Sequence, residues 1–254
     1  LHLSIRRQRQ MCIRDRHDTM DTTFRSMYLG LSAFLDANTE RRELLLGQRP
    51  PRFDSSFDEA IALTGDDFER VALKAESARD YFLLVGPPGT GKTSRALRRM
   101  VEHFYAASSM QILLLAYTNR AVDEICQSLS SITPCIDYIR VGSELSCDVR
   151  FRGHLLENIL AECNSRREVN IRMADCRVYV GTVASIAAKA ELFKLKRFDV
   201  AIVDEATQIL EPQLLGILCA KFADERNAVG KFILIGDHKQ LPAVILQNSG
   251  HSEV

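Results

Sequence analysis

An octapeptide a third of the way along the chain, GPPGTGKT at Gly86–Thr93, has residue types and spacing that suit phosphate binding. It follows an apolar run and precedes a helical pattern, which is the context that this glycine-rich motif requires. Its three glycines let backbone N–H groups turn toward a phosphate chain, and the next helix adds its positive end. Lys92 supplies charge to the β- and γ-phosphates, and the Thr93 hydroxyl is a ligand for Mg²⁺. A glycine-rich turn that binds nothing is the weaker interpretation.

Two carboxylates end a second apolar run, FDVAIVDEATQ at Phe198–Gln208. Because a buried strand leads into them, Asp204 and Glu205 are expected at the carboxyl edge of a sheet, where open α/β sheets bind ligands. Asp204 can hold Mg²⁺, and Glu205 can orient or deprotonate an attacking water. Alone, the pair would suit the acidic first turn of a helix equally well. After a phosphate-binding loop, hydrolysis is the stronger interpretation.

A third apolar run, LIGDHKQLPAV at Leu234–Val244, brings Asp237 and Gln240 to the same predicted edge. An amide suits the γ-phosphate or its water because it donates and accepts hydrogen bonds at once. We therefore expect ATP hydrolysis with Mg²⁺, and Lys92, Glu205 and Gln240 as the catalytic residues. The residues expected to contact the nucleotide or its metal are Gly86, Pro87, Pro88, Gly89, Thr90, Gly91, Lys92, Thr93, Ser94, Asp204 and Asp237.

These motifs require strands to position them, and the sequence predicts several. Predicted strands are Tyr81–Val85, Gln111–Tyr117, Arg177–Gly181, Phe198–Val203 and Lys231–Gly236, with helices near 92–106, 119–130, 183–194 and 210–222. Continuous apolar strands separated by helices predict an α/β fold, a mostly parallel sheet with helices on both faces.

Two segments fall outside this alternation. Residues 20–47 have apolar side chains at three- and four-residue steps, which predicts one amphipathic helix, and another is expected at about Asp66–Ser77. Residues 131–176 contain only a short strand candidate, Tyr138–Val141, and are interpreted as an insertion. The predicted organisation is a helical segment at 17–59 and one ATPase domain at 60–254.

Composition excludes several classes of protein. The chain has 254 residues, 46% of them hydrophobic, and its 33 Lys+Arg balance 33 Asp+Glu, so no positive field indicates nucleic acid. No apolar run approaches the length of a membrane span. Seven scattered cysteines without a CxxC pair argue against a zinc cluster or a disulfide framework, and we expect a reducing, cytoplasmic location.

The first sixteen residues, LHLSIRRQRQMCIRDR, are rich in arginine. A basic nucleic-acid arm is one interpretation. The peptide MCIRDR, however, resembles translated sequencing-adapter DNA from draft assemblies. We therefore treat residues 1–16 as an artefact or a disordered segment and exclude them from the fold.

In their order and spacing, GPPGTGKT, VDEATQ and GDHKQLPAV resemble motifs I, II and III of superfamily 1 helicases, most closely the branch of senataxin and the helicase of nonsense-mediated mRNA decay. RecD-like helicases are the group most easily confused with it. AYTNRAVDEI (Ala116–Ile125) resembles motif Ia, and VGTVAS (Val180–Ser185) resembles the motif that precedes motif II.

The resemblance implies a RecA-like P-loop NTPase domain in which the motif III strand lies between the motif I and II strands. It also implies that the helical segment 17–59 is a stalk packed on this domain and that 131–176 corresponds to the family's inserted subdomain. It also implies a monomer that holds single-stranded DNA or RNA through its phosphodiester backbone, with Thr118, Asn119, Arg120 and Thr182 as candidate contacts. Taken singly, Thr118 and Asn119 suit helix capping equally well, and Thr182 a buried strand-end hydroxyl.

The sequence departs from the family at two places. Helicases of this branch have a glutamine that contacts adenine ahead of the P-loop, whereas Asp67 or Phe68 stands there in LTGDDFERV (Leu63–Val71). The sequence also stops at Val254, shortly after motif III, so we expect the second RecA-like domain and its arginines to be absent. We therefore expect weak ATP binding, slow hydrolysis and no translocation by this chain alone.

An alternative function is a nucleotide-dependent switch that remodels a protein partner. Motif III and the segment that resembles motif Ia favour the helicase.

Overall fold

The computed structural model describes residues 24–106, 109–237 and 239. Six strands in these residues form one sheet. They are β1 (Tyr81–Val85), β2 (Ile112–Ala116), β3 (Tyr138–Val141), β4 (Val178–Thr182), β5 (Phe198–Val203) and β6 (Val229–Gly236). Their order in the sheet is β1-β6-β5-β2-β4-β3, and all neighbouring strands are parallel.

Helices precede and connect these strands. They are α1 (24–36), α2 (Thr39–Leu45), α3 (Asp58–Leu63), α4 (Asp67–Ser77), α5 (Arg98–Ala106), α6 (Asn119–Ser130), α7 (Leu156–Ala161), α8 (Arg166–Asp175), α9 (Val183–Ala188), α10 (Leu192–Leu195) and α11 (Glu211–Leu218). None of the helices in the described ranges combines the length and the apolarity needed to cross a bilayer.

The sheet is covered on both faces. Ile112 and Leu114 of β2 pack in a core with α4, α5 and α6, whereas Leu113 and Leu115 pack in a second core with α9, α10 and α11. Successive residues of a strand point to opposite faces, so a strand buried on both sides must be apolar throughout. The predicted α/β architecture is confirmed.

The single helix predicted at 20–47 is wrong for its described part, because the chain breaks into α1 and α2. Asn38 separates the two helices, because its side chain accepts a hydrogen bond from the Arg41 N–H at 2.8 Å and caps the start of α2. Residues 20–23 lie outside the described range. The helix predicted at 183–194 is likewise divided into α9 and α10.

Segment 131–176 contributes to the same sheet. The predicted strand Tyr138–Val141 is confirmed as β3, which extends the sheet beside β4 with Val141 level with Gly181. The remainder of the segment forms short turns, α7 and α8.

A buried lysine holds α4 against the sheet. Lys231 of β6 donates hydrogen bonds to the carbonyls of Ala75, Glu76 and Ala78, each at 2.9 Å, and so closes the C-terminal end of α4. Burial lowers the pKa of Lys231 to about 8. This contact fixes α4, whose first turn lies beside the phosphate-binding loop.

Segment 37–54 is held at the amino edge of the sheet. The Asp80 carboxylate, at the start of β1, accepts hydrogen bonds from Arg49 at 2.9 Å and from Arg52 at 2.7 Å. Burial alone would raise the pKa of Asp80, but these two guanidinium groups outweigh it and hold the pKa well below its usual range. Arg41 adds a hydrogen bond to the Val229 carbonyl at 2.7 Å.

Helix α1 crosses α11 at a pair of glycines, and a substitution there tests this packing. A Cβ added at Gly30 would lie 1.8 Å from the Pro212 carbonyl oxygen. Gly30→Ala must therefore separate the helices, and we expect it to lower the free energy of unfolding by about 1–3 kcal/mol in urea denaturation. Gly65→Ala is the control because nothing lies within 4 Å of its Cβ. Equal stability of both variants would contradict a close α1–α11 contact.

Candidate nucleotide site and nucleic-acid surface

Three adjacent strands bring the predicted phosphate-site residues to one edge of the sheet. The glycine-rich loop follows β1, Asp204–Glu205 follow β5, and Asp237 follows β6, which lies between the other two. This is the strand order that the sequence resemblance implied. The Gly86 N–H donates to the Gly236 carbonyl at 3.2 Å, so the start of the loop is bonded to the end of β6.

The glycine-rich loop uses two left-handed backbone positions. Gly89 has φ 77° and Gly91 has φ 80°, a region that side chains strain. The N–H groups of Arg95 and Ala96 both donate to the Gly91 carbonyl at 2.9 Å, so the turn Lys92–Leu97 is wider than an α-helix. α5 continues from that turn. The predicted strand–loop–helix context is present.

The Lys92 side chain folds onto this loop. Its Nζ donates to the carbonyls of Gly86 and Pro87, the latter at 2.8 Å. The Thr90 hydroxyl also donates to the Pro87 carbonyl at 2.8 Å, which stabilises the turn. The outer side of the loop is exposed at Pro87, Pro88, Gly89, Thr90 and Ser94.

Thr93 and Asp204 meet across the site, although they are far apart in sequence. The Thr93 hydroxyl donates to the Asp204 Oδ2 at 2.6 Å. Burial raises the pKa of Asp204, while the Thr93 hydrogen bond and the Lys92 charge oppose that rise. Hydroxyl and carboxylate oxygens are the ligands that suit Mg²⁺, so the donor set fits the predicted metal.

The sequence did not predict the backbone conformation of Glu205. Its φ of 52° and ψ of 37° are left-handed, which is uncommon for a residue other than glycine. Its N–H donates to Asp204 Oδ1 at 3.0 Å. Partial burial raises the pKa of the half-buried Glu205 carboxyl, and the negative charges of Asp204 and Glu124 add to the rise. The left-handed turn thus follows directly on the carboxylate that Thr93 contacts, and it leaves Glu205 more exposed than Asp204.

Asp237 is buried at the end of β6 and accepts a hydrogen bond from the Lys239 N–H at 2.9 Å. Gln240 lies outside the described residues, so its place beside Lys92 and Glu205 remains a prediction.

The structure adds an aromatic contact beside the loop. The Phe68 ring lies against Gly91, where an added Cβ would be 3.4 Å from it, and the Arg95 guanidinium stacks 4.4 Å from the ring centroid. Asp67 instead points to solvent and pairs with Arg70 at 2.6 Å. Of the two residues at the expected glutamine position, Phe68 therefore faces the site. A single sequence carried no signal for its pairing with Arg95.

The residues predicted to contact nucleic acid after β2 lie next to the nucleotide site. The Asp204 N–H donates to the Leu115 carbonyl of β2 at 2.8 Å. Thr118 caps α6 by accepting from the Ala121 N–H at 3.1 Å. Asn119 is partly exposed, and the Arg120 side chain, 90% exposed, lies 3.3 Å from Glu124. Thr118, Asn119 and Arg120 thus share an accessible surface next to the phosphate site.

Thr182 follows the neighbouring strand β4 but is buried, with 5% exposure. Its hydroxyl accepts from the Ser185 N–H at 3.0 Å and donates to the Ser185 Oγ at 2.7 Å. Both threonines therefore have the capping role that the sequence left open.

Comparison with known proteins agrees with this geometry. A family model described as AAA domain matches residues 65–177 and 164–248. The chain therefore belongs to the AAA domain family, a class of P-loop ATP hydrolases.

Curated relatives are similar to most of this chain. The chain is 32% identical to the DNA replication ATP-dependent helicase/nuclease JHS1 of Arabidopsis thaliana, over 90% of this chain and 17% of that protein. It is 29% identical to the bovine DNA replication ATP-dependent helicase/nuclease DNA2, over 85% of this chain and 20% of that protein. The solved UvsW helicase of bacteriophage T4 aligns with 72% of this chain and 59% of its own, at 15% identity and a TM-score of 0.45. Only one segment of each of these helicase/nucleases, a fifth of their length or less, is therefore similar to this chain.

Proposed function

We propose that this chain is the motor domain of a superfamily 1 helicase, that it binds Mg–ATP at the β1–β6–β5 edge and that, as part of a longer protein, it couples ATP hydrolysis to movement along single-stranded DNA. The observation that supports this most directly is the Thr93–Asp204 contact, with Glu205 beside it and an accessible strand end next to both. The nucleic-acid part has its support in the exposed surface of Thr118, Asn119 and Arg120.

Thr93 and Asp204 are the residues that would hold Mg²⁺, which would neutralise charge on the β- and γ-phosphates. Lys92 would exchange its carbonyl partners for phosphate oxygens. Glu205 would accept a proton from the attacking water, and Gln240 would orient that water. Asp237 would contact the site from β6.

DNA2-type helicases are the branch that the relatives favour, rather than the senataxin branch expected from the motifs. The chain spans 17% and 20% of the first two relatives, so their unwinding and nuclease activities are proposals for a longer protein. We infer that such a protein supplies an arginine to the γ-phosphate from another domain, a contribution worth about 10³–10⁵ in turnover.

Oligonucleotide binding tests the proposed nucleic-acid track, defined as the surface of Thr118, Asn119 and Arg120. Arg120→Gln is expected to weaken binding of fluorescein-labelled oligo(dT) about three- to tenfold in fluorescence anisotropy, because one ionic contact with the backbone is lost. The slope of log affinity against log salt should fall by about 0.7.

Arg226→Gln is the matched control, since Arg226 is also exposed and paired with a carboxylate, but lies near the amino end of β6. If both variants lose oligonucleotide affinity equally, or if neither loses any, the proposed track is wrong. Either result would favour a nucleotide switch that acts on a protein.

A further inference from the structure

One loop at the functional edge of the sheet exposes two large apolar side chains. In the β3 loop, defined as residues 142–149, Leu145 is 97% exposed and Val149 is 72% exposed. Leu145 is the most exposed large hydrophobic side chain in the described part of the chain. An apolar side chain this exposed gains free energy when a ligand covers it.

The β3 loop continues the row of strand ends described above. β2, β4 and β3 are neighbours in this order, and all three end at the same edge. Adjacent strands are about 4.8 Å apart, so the β3 loop begins about 10 Å from the end of β2. Thr118 and Arg120 leave from that end of β2, and the loop therefore extends their surface.

The loop is braced against α6, which carries Arg120. Arg140, buried in β3, pairs with Asp123 of α6 and donates to the Ser146 carbonyl at 3.5 Å. Just beyond the loop, the Arg150 guanidinium donates to the Gln127 Oε1 of α6 at 2.8 Å.

Contacts inside the loop also fix Leu145. The Ser143 Oγ accepts from the Leu145 N–H at 3.3 Å, and the Ser146 hydroxyl donates to the Ser143 carbonyl at 3.1 Å. These hydrogen bonds form a turn that keeps the Leu145 side chain exposed to solvent.

We propose that Leu145 contacts the face of a nucleobase in single-stranded nucleic acid, and that the β3 loop thereby extends the track that begins at Arg120. The inference rests on the proposed function. An apolar side chain without a charged partner suits the face of a base, which proteins contact by apolar and aromatic groups. Arg120 would contact the backbone and Leu145 the base.

Two oligonucleotides of equal length separate these roles, one of deoxythymidine and one abasic. Leu145→Ala is expected to weaken anisotropy-detected binding of oligo(dT) about fivefold and to leave binding of the abasic strand unchanged. Leu195→Ala is the matched control, because Leu195 is 67% exposed and lies three residues before β5, near the opposite edge. It should change neither affinity.

Three outcomes would overturn the inference. If Leu145→Ala binds oligo(dT) like the unchanged chain while Arg120→Gln binds weakly, only the base contact is wrong. If Leu145→Ala loses affinity for both strands equally, the loop has a structural role and no base contact. If the unchanged chain binds neither strand, the proposed function fails together with the base contact.

Discussion

Glu205→Gln is expected to slow ATP hydrolysis about 10²–10⁴-fold while nucleotide affinity stays unchanged. Glutamine keeps the size of the side chain and can still orient water, but it cannot accept the proton that attack on the γ-phosphate releases. Single-turnover hydrolysis of radiolabelled ATP measures the rate even where turnover is slow, and a fluorescent ATP analogue measures affinity.

The control for Glu205 is Glu225→Gln. Both glutamates have positive φ, 52° and 64°, so the two variants make the same chemical change on similar backbones. Only the first lies beside Asp204. Hydrolysis at the original rate in Glu205→Gln would show that another group accepts the proton.

Lys92→Ala is expected to lower ATP affinity about 10- to 100-fold, because charge-assisted hydrogen bonds to phosphate contribute about 1.5–3 kcal/mol. Titration calorimetry with Mg–ATP measures the change directly. Lys221→Ala is the control, since Lys221 pairs with Glu225 away from the loop. An unchanged affinity in Lys92→Ala would contradict phosphate binding at Gly86–Thr93.

Together the two variants separate binding from chemistry. Glu205→Gln should bind without hydrolysing, whereas Lys92→Ala should fail already at binding.

Much of the fold was predictable because its signals are local. Continuous apolar runs predicted five strands of the sheet core, and the P-loop pattern predicted the turn at Gly89 and Gly91. The order of β1, β6 and β5 came from family resemblance, since no local pattern encodes it. The edge strand β3 was visible only as four apolar-rich residues, and its membership in the main sheet depends on pairing with β4.

The predictions that were wrong or incomplete concern capping and long-range contacts. Asn38 broke the predicted helix 20–47 through one side-chain hydrogen bond, which outweighs the apolar periodicity around it. The left-handed conformation of Glu205 and the stacking of Arg95 on Phe68 depend on groups distant in sequence. Thr182 shows the same limit, since its type suits phosphate contact but its hydroxyl is used inside the protein.

The junction between β6 and the phosphate-binding loop constrains the spacing of the whole site. A Cβ at Gly236 would lie 2.8 Å from the Thr207 side chain, and the Gly236 carbonyl already accepts the Gly86 N–H. Side chains change face at every residue of a strand, so inserting or deleting one residue here would turn Asp237 to the wrong side. The two hydrophobic cores would survive such a change, and the protein would remain folded without a working site. A change in the number of residues at this junction would therefore be selected against through loss of function rather than through loss of folding.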